Sequence, residues 1–379
     1  MEYFHPDKLL SPVQWKSFLR ETWEKKHLYL AGRGEGYYDA LFRKEDVDAL
    51  IPLAVGERGV RLANDGQKSV VPNDAASLYR AYQQGSTVVI NRLHRLWRPV
   101  NLFALALEEM LHHPPGVNMY LTPPGSTGFG AHYDTHDVFI VQIAGRKQWD
   151  LYGVHFELPL EGQKVPLAED LGAPEETLEL EPGAMLYLPR GLVHQARTTA
   201  DSSSLHLTVG VHTFRWGDLL DEVLHQARHE QLDLRRSLPP GFLNRDPSEF
   251  SQHLGELIQN FAQTAKQGPA ISRLADRMFS RAPAPIDRHF SVLDELKDLK
   301  PTTLLRKRVG SLFYFYEEGD HLVLTFAQGT IVLPKRIRKA VEFILKSEWF
   351  SVASIPQLDS SGQVVLAKKL MREGFLTLA

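Results

Sequence analysis

Residues 130–152 read GAHYDTHDVFIVQIAGRKQWDLY. The near-continuous apolar run Asp137 to Ile143, a Gly-Arg-Lys turn and a second run from Gln148 to Tyr152 predict two short strands. Alternate residues of a strand share a face, so His132 and Asp134 project together and can ligate one metal ion as neighbours. His136 shares their parity and is the rival ligand. A second segment, EPGAMLYLPRGLVHQA at 181–196, sets His194 just after a strand (Ala184 to Leu188) and a Pro-Arg-Gly turn. Outward from these runs the same texture extends from about Val88 to Thr213, with further strands predicted at Asn118 to Leu121 and Leu205 to Thr213. Short strands at this spacing predict an antiparallel barrel or double-sheet jelly roll, in which strands distant in sequence become neighbours. Two histidines and one carboxylate on one face of an octahedron form the ligand set of non-haem Fe(II) oxygenases.

The run HYDTHDVFIVQIAGRKQW, with NMYLTPPGSTGFGA before it and PGAMLYLPRGLVHQA after it, resembles the JmjC-type ribosomal oxygenases. These are cupin-like, Fe(II)- and 2-oxoglutarate-dependent hydroxylases of ribosomal proteins. The resemblance covers most of the chain from about residue 85. It implies that His132, Asp134 and His194 hold the iron, that Lys147 pairs with the distal carboxylate of 2-oxoglutarate, and that Asn118, Tyr120 and Thr208 surround this cosubstrate. The implied cofactors are Fe(II), 2-oxoglutarate and O2, and the implied reaction hydroxylates an Arg or His side chain of a ribosomal protein. Physical chemistry supports Lys147 independently. A dicarboxylate that chelates iron at one end needs a cation at the other, and a lysine beside a buried strand otherwise lacks a counter-ion. Arg146 should point the other way. Tyr133 and Arg190 are open between a substrate mouth and packing at the edge of the core. His206 and His212 are read as structural.

The chain of 379 residues is long enough for two or three domains, and 43% hydrophobic with 23% charged residues is an ordinary globular composition. Forty-three Lys+Arg against 46 Asp+Glu exclude the global basicity of a nucleic-acid binder. With no cysteine, disulfides, thiolate metal sites and cysteine nucleophiles are excluded. The N-terminus lacks the basic-then-apolar order of a signal peptide, and no apolar run approaches the ~20 residues that span a bilayer, so a cytoplasmic protein with no membrane partner is expected.

Three domains are expected: a JmjC/cupin-like catalytic domain at 1–213 with an N-terminal helical section, a helical dimerisation domain at 214–283 and a winged-helix-like domain at 284–379, an α+β organisation around a double-stranded β-helix. Ser11-Pro12 reads as a helix start running to Trp23, and the N-terminal helical section should end near Ile51. Helices are predicted at Asp218 to His229, Pro247 to Gln267 and Ala270 to Phe279. Their apolar positions, among them Leu219, Leu220, Val223, Leu254, Leu257, Ile258 and Phe261, exceed what one small neighbour would cover and predict a homodimer. After the break Arg281-Ala-Pro-Ala-Pro-Ile come strands at Ser311 to Tyr316 and His321 to Phe326, then helices at Pro334 to Lys346 and Gly362 to Glu373. From Pro301 onward 11 Lys/Arg face 7 Asp/Glu, only mildly basic, so Arg336, Arg338 and Lys339 read as a solvated helix face and no nucleic-acid partner is expected. The alternatives are a non-catalytic cupin-like metal or ligand sensor with a nucleic-acid-binding tail, and an isomerase or hydrolase of similar shape.

Overall fold

The structure, a computed structural model, describes residues 3–55, 59–63, 70–163, 171–279 and 288–379. They pack as two compact units, Met1–Thr213 and Phe214–Ala379.

The first unit begins with helices α1 (Pro6–Leu10) and α2 (Trp15–Glu21), strand β1 (Leu28–Leu30), α3 (Val47–Ala54), β2 (Val60–Ala63), α4 (Ala75–Gln83), β3 (Thr87–Ile90) and α5 (Arg98–Leu111). Then come β4 (Pro115–Thr122), β5 (Asp137–Gly145), β6 (Lys147–Val154), β7 (Glu176–Leu180), β8 (Met185–Leu188), β9 (Leu192–Thr198) and β10 (Ser204–Val211). A seven-stranded antiparallel sheet in the order β1-β8-β5-β10-β4-β3-β2 faces a three-stranded sheet β7-β6-β9. This is the expected jelly roll.

The Asp137 to Ile143 run is apolar on both faces because β5 is buried on both. Phe139 and Val141 point outward into a cluster with Phe4, Leu9, Phe18, Phe42 and Phe103 from the N-terminal section, while Val138 and Ile140 point inward to meet Trp149 and Leu151 of β6. A strand covered on both sides loses the polar alternation of a half-exposed one.

The N-terminal section departs from expectation. Ser11 closes α1, its N–H donating to the Asp7 carbonyl, and α2 starts only at Trp15 with Gln14 as its N-cap. Pro6 takes the first helical position expected for Pro12, since its missing N–H is one that a helix start leaves unpaired. The section does not stay helical to Ile51, for β1 joins the main sheet beside β8, and β2 and β3 extend it beyond β4. His194 follows β8 and the Pro189-Arg190-Gly191 turn, as expected, and lies within β9.

The second unit contains α6 (Trp216–Glu230), α7 (Ser251–Thr264) and α8 (Gln267–Phe279), close to the predicted spans. Glu222 of α6, nearly buried, takes ion pairs from Arg273 (2.7 Å) and Arg277 (3.0 Å) of α8. The Arg281 to Ile286 break and the expected boundary at 283/284 lie outside the described residues. Beyond them come α9 (His289–Glu295), β11 (Leu304–Lys307), β12 (Phe313–Glu318), β13 (His321–Phe326), β14 (Gly329–Pro334), α10 (Arg338–Lys346), β15 (Trp349–Ser351), α11 (Ser360–Arg372) and β16 (Leu376–Leu378). Two three-stranded sheets, β15-β11-β16 and β12-β13-β14, share a core with the helices that includes Leu305, Leu324, Ile344, Leu370 and Phe375. Lys335 and Arg338 both pair with Glu317, and Arg338 also with Glu342. No helix among the described residues is long and apolar enough to cross a membrane.

Candidate metal centre

His132 and His194 form an isolated antiparallel bridge across the mouth of the sandwich. Each donates its backbone N–H to the other's carbonyl, at 3.0 and 2.8 Å. Their ring centroids stand 4.5 Å apart. His132 Nδ1–H donates to the Gly130 carbonyl (2.8 Å) and His194 Nδ1–H to the Leu192 carbonyl (3.0 Å). A carbonyl can only accept, so both rings carry a proton on Nδ1, and the neutral imidazole then presents Nε2 as the bare lone pair with which it ligates metal. Burial, and then the neighbouring His132, push the pKa of His194 down to about 4, which keeps it neutral.

Asp134 brings Oδ2 to 3.8 Å from His194 Nε2. Among the described residues, His132, Asp134 and His194 are the group whose ligand atoms all lie within 4.8 Å of one another. The 132–136 segment is not a regular strand as expected, yet its extended bridge at His132 still sends residues 132 and 134 to the same side. Asp134 is held by its own carbonyl, which accepts the Gly191 N–H at 3.0 Å. His136, the rival ligand, turns instead onto His212, with ring centroids 4.7 Å apart.

The triad opens onto a cavity of about 320 Å³ between the two sheets. Asn118 and Tyr120 of β4 and Thr208 of β10 line it, together with Lys147 of β6. Asn118 lies opposite Thr208, and Tyr120 opposite His206, in the β4–β10 register. Lys147 is almost fully buried, and its Nζ donates to Thr122 Oγ1 (3.0 Å), which in turn accepts from Thr87. Burial pushes its pKa down to about 7. A buried ammonium without an anion is costly, and the cavity in front of it is where an anionic molecule would compensate. Metal, anionic cosubstrate and residues therefore fit. Gly145, at φ +64°, makes the turn that swings the chain from β5 into β6, so that Lys147 points inward while Arg146 points out to Glu179 and Glu181.

Several site residues carry no clear signal in the sequence. Arg61 of β2 lines the cavity, stands near enough to the Tyr120 phenol for its charge to act on it and lies over the Phe129 ring, 5.3 Å from its centroid. Thr87 and His206 also line it, although His206 reads as structural in the sequence. Trp149 could have been found by parity, two residues beyond Lys147 on the same strand face. Tyr133 does not join the lining, since its hydroxyl donates to the Gln163 carbonyl (2.9 Å) and its ring packs on Phe156. Arg190 is consumed in a buried network, bonding Asp137 (2.7 Å) and Glu24 (2.6 Å), while Tyr187 donates to Asp137 (2.7 Å).

Residues 95–219 match the family profile of the JmjC domain. That stretch carries His132, Asp134, Lys147 and His194. Ribosomal oxygenase 1 of Danio rerio is 28% identical over 98% of this chain and 78% of its own length. The bifunctional lysine-specific demethylase and histidyl-hydroxylase NO66 of Dictyostelium discoideum is 33% identical over 65% of the chain, which spans only 50% of that relative. The chain also shares its fold with YcfD, a ribosomal oxygenase from Escherichia coli solved with cobalt and 2-oxoglutarate, at a TM-score of 0.59 and 17% identity over 99% of both chains.

Proposed function

We propose that this protein is an Fe(II)- and 2-oxoglutarate-dependent oxygenase that hydroxylates an Arg or His side chain of a ribosomal protein. The observation that carries this is the joining, in one cavity, of His132, His194 and Asp134 with a buried Lys147 that has no carboxylate partner among the described residues. The names of its relatives, ribosomal oxygenases and a histidyl-hydroxylase, support the substrate class. Bound Fe(II) with 2-oxoglutarate would supply the oxidising chemistry, one atom of O2 going into the succinate formed as CO2 is lost and the other into a C–H bond of the substrate.

The chain's own residues bind, orient and exclude water. His132, Asp134 and His194 hold the metal from one side, and their fixed Nδ1 donors keep the rings aimed. Lys147 offers the remaining hydrogens of its ammonium to the far carboxylate of the cosubstrate. Asn118, Tyr120 and Thr208 supply further polar contacts along the cavity, and Val138, Ile140 and Trp149 close it to solvent. A dry wall strengthens each of these electrostatic contacts.

The reading carries several finer proposals. The domains run 1–213, 214–283 and 284–379, the last winged-helix-like, and the protein works in the cytoplasm. It forms a homodimer through the helical block, supported by α7, which buries no residue, and by the exposed Leu220, Leu254 and Ile258. The tail is no nucleic-acid surface, in keeping with the engagement of Lys335 and Arg338 by Glu317.

The test is twofold. Purified protein with Fe(II) should convert 2-oxoglutarate to succinate, and mass spectrometry of ribosomal proteins from cells with and without the gene should reveal one that loses a single-oxygen increment. Failure to bind 2-oxoglutarate anaerobically would end the oxygenase reading, and unchanged ribosomal masses would end the ribosomal one.

A further inference from the structure

His206 is a buried titratable group that none of the roles above uses. It projects from β10 into the same cavity as Lys147 of the opposite sheet, close enough that the lysine's charge acts on it. Its ring is clamped, stacked on Tyr120 with centroids 4.9 Å apart and planes 4° from parallel, and met edge-on by Trp149 at 5.6 Å. Aromatic faces on two sides leave the imidazole little freedom to turn. A ring held this firmly is preorganised for whatever its free edge meets.

The two nitrogens are not equivalent. Nδ1 is sealed from solvent and has no hydrogen-bond partner among the described residues. Orphaned N–H groups are rarer in protein interiors than orphaned acceptors, so the proton belongs on Nε2 and Nδ1 is left as a bare lone pair. With Nδ1 shut away, Nε2–H is the group that a molecule in the cavity can reach. The imidazole is neutral, because burial and the adjacent Lys147 both oppose protonation.

A carboxylate offers about four lone-pair positions, more than one ammonium already engaged with Thr122 can fill. We infer that His206 is a further cosubstrate-binding residue, donating a hydrogen bond from Nε2–H to the distal carboxylate of 2-oxoglutarate alongside Lys147. This rests on the oxygenase reading given above. A neutral donor suits the position, since it adds a hydrogen bond to the anion without burying a second cation beside the first.

The experiment measures binding without turnover. Mn(II) replaces iron, and calorimetry gives the dissociation constants of Mn(II) and of 2-oxoglutarate for wild type, His206→Phe and His206→Gln. Phenylalanine keeps the stacked ring and removes the donor, while glutamine keeps a donor and removes the ring. His206→Phe should weaken 2-oxoglutarate binding ~10-fold or more, the usual scale for a hydrogen bond to a charged group, with Mn(II) affinity unchanged and His206→Gln recovering part of the loss. In wild-type protein loaded with diamagnetic Zn(II), 2-oxoglutarate should also shift the His206 Nε2–H resonance. Wild-type-like cosubstrate affinity in His206→Phe, parallel loss of Mn(II), or an unmoved resonance on saturation would each overturn the role of His206 alone. Wild-type protein that binds Mn(II) but no 2-oxoglutarate would overturn the oxygenase reading with it.

Discussion

His132 and His194 are paired backbone to backbone, each accepting the other's N–H, although 61 residues of chain separate them. The two candidate ligands are thus built into the closure of the sandwich and not merely carried on its rim. A bridge of two hydrogen bonds fixes both Cα positions, and the Nδ1 bonds to Gly130 and Leu192 then fix both rings. Little reorganisation is left to be made when a metal enters.

Replacing His132, Asp134 or His194 with Ala should therefore abolish tight metal binding without unfolding the sandwich. Each variant should bind Mn(II) at least ~100-fold more weakly, as expected when one of three ligands is lost, while its circular dichroism stays native. Titration calorimetry checks this, and a variant that retains wild-type affinity would remove that residue from the ligand set.

Lys147→Met should stabilise the metal-free protein near neutral pH and eliminate 2-oxoglutarate binding. Burial lowers the lysine's pKa from 10.5 to about 7, so the unfolded chain holds this proton more tightly than the native one. The penalty is complete below about pH 7 and fades as pH rises toward the unfolded value. A gain of about 2–4 kcal/mol at pH 7, shrinking at pH 9, is the expected order of magnitude after loss of the Thr122 bond. Urea denaturation at the two pH values measures it.

Gly145→Ala should be strongly destabilising. The residue sits at φ +64°, and a Cβ there would fall 1.7 Å from the Ser203 carbonyl oxygen, a backbone atom that cannot swing aside. A loss of ~3 kcal/mol or more is expected from strain and displacement together. The same change should weaken 2-oxoglutarate binding more than Mn(II) binding, because the turn aims Lys147. Equal affinities in variant and wild type would refute that coupling.

Arg190→Met leaves Asp137 with no cation at a fully buried position and removes the tie to Glu24. Breaking a buried pair from one side costs ~3–5 kcal/mol, so a drop of that order in unfolding free energy is expected. Adding Asp137→Asn to this variant should recover part of it. A double variant no more stable than the single one would show that the charge is not the cause.

Glutamate at Leu257 or Phe261 should turn the proposed dimer into monomers at micromolar concentration, read by sedimentation. Wild-type protein that sediments as a single 42.9 kDa species would show that α7 has another partner or none.

Features written within a few residues of one another are legible in the sequence. His132 and Asp134 share a side because extended chain alternates, Lys147 and Arg146 diverge because they are neighbours, and β13 occupies the expected span His321 to Phe326. Such patterns depend on local backbone periods of two or on a glycine's access to positive φ. Long-range closure decided the rest. Arg61 reaches Tyr120 only because β2 and β3 join the main sheet, and Arg190 is bound by Glu24 only because the N-terminal section folds over its outer face. His206 has the same periodicity whether it packs as a neutral core residue or lines a cavity, since alternation says which side a residue takes and not what stands opposite. Burial, tautomer and unpaired donors come from atoms contributed by distant segments, and those meet only when the two sheets close on each other.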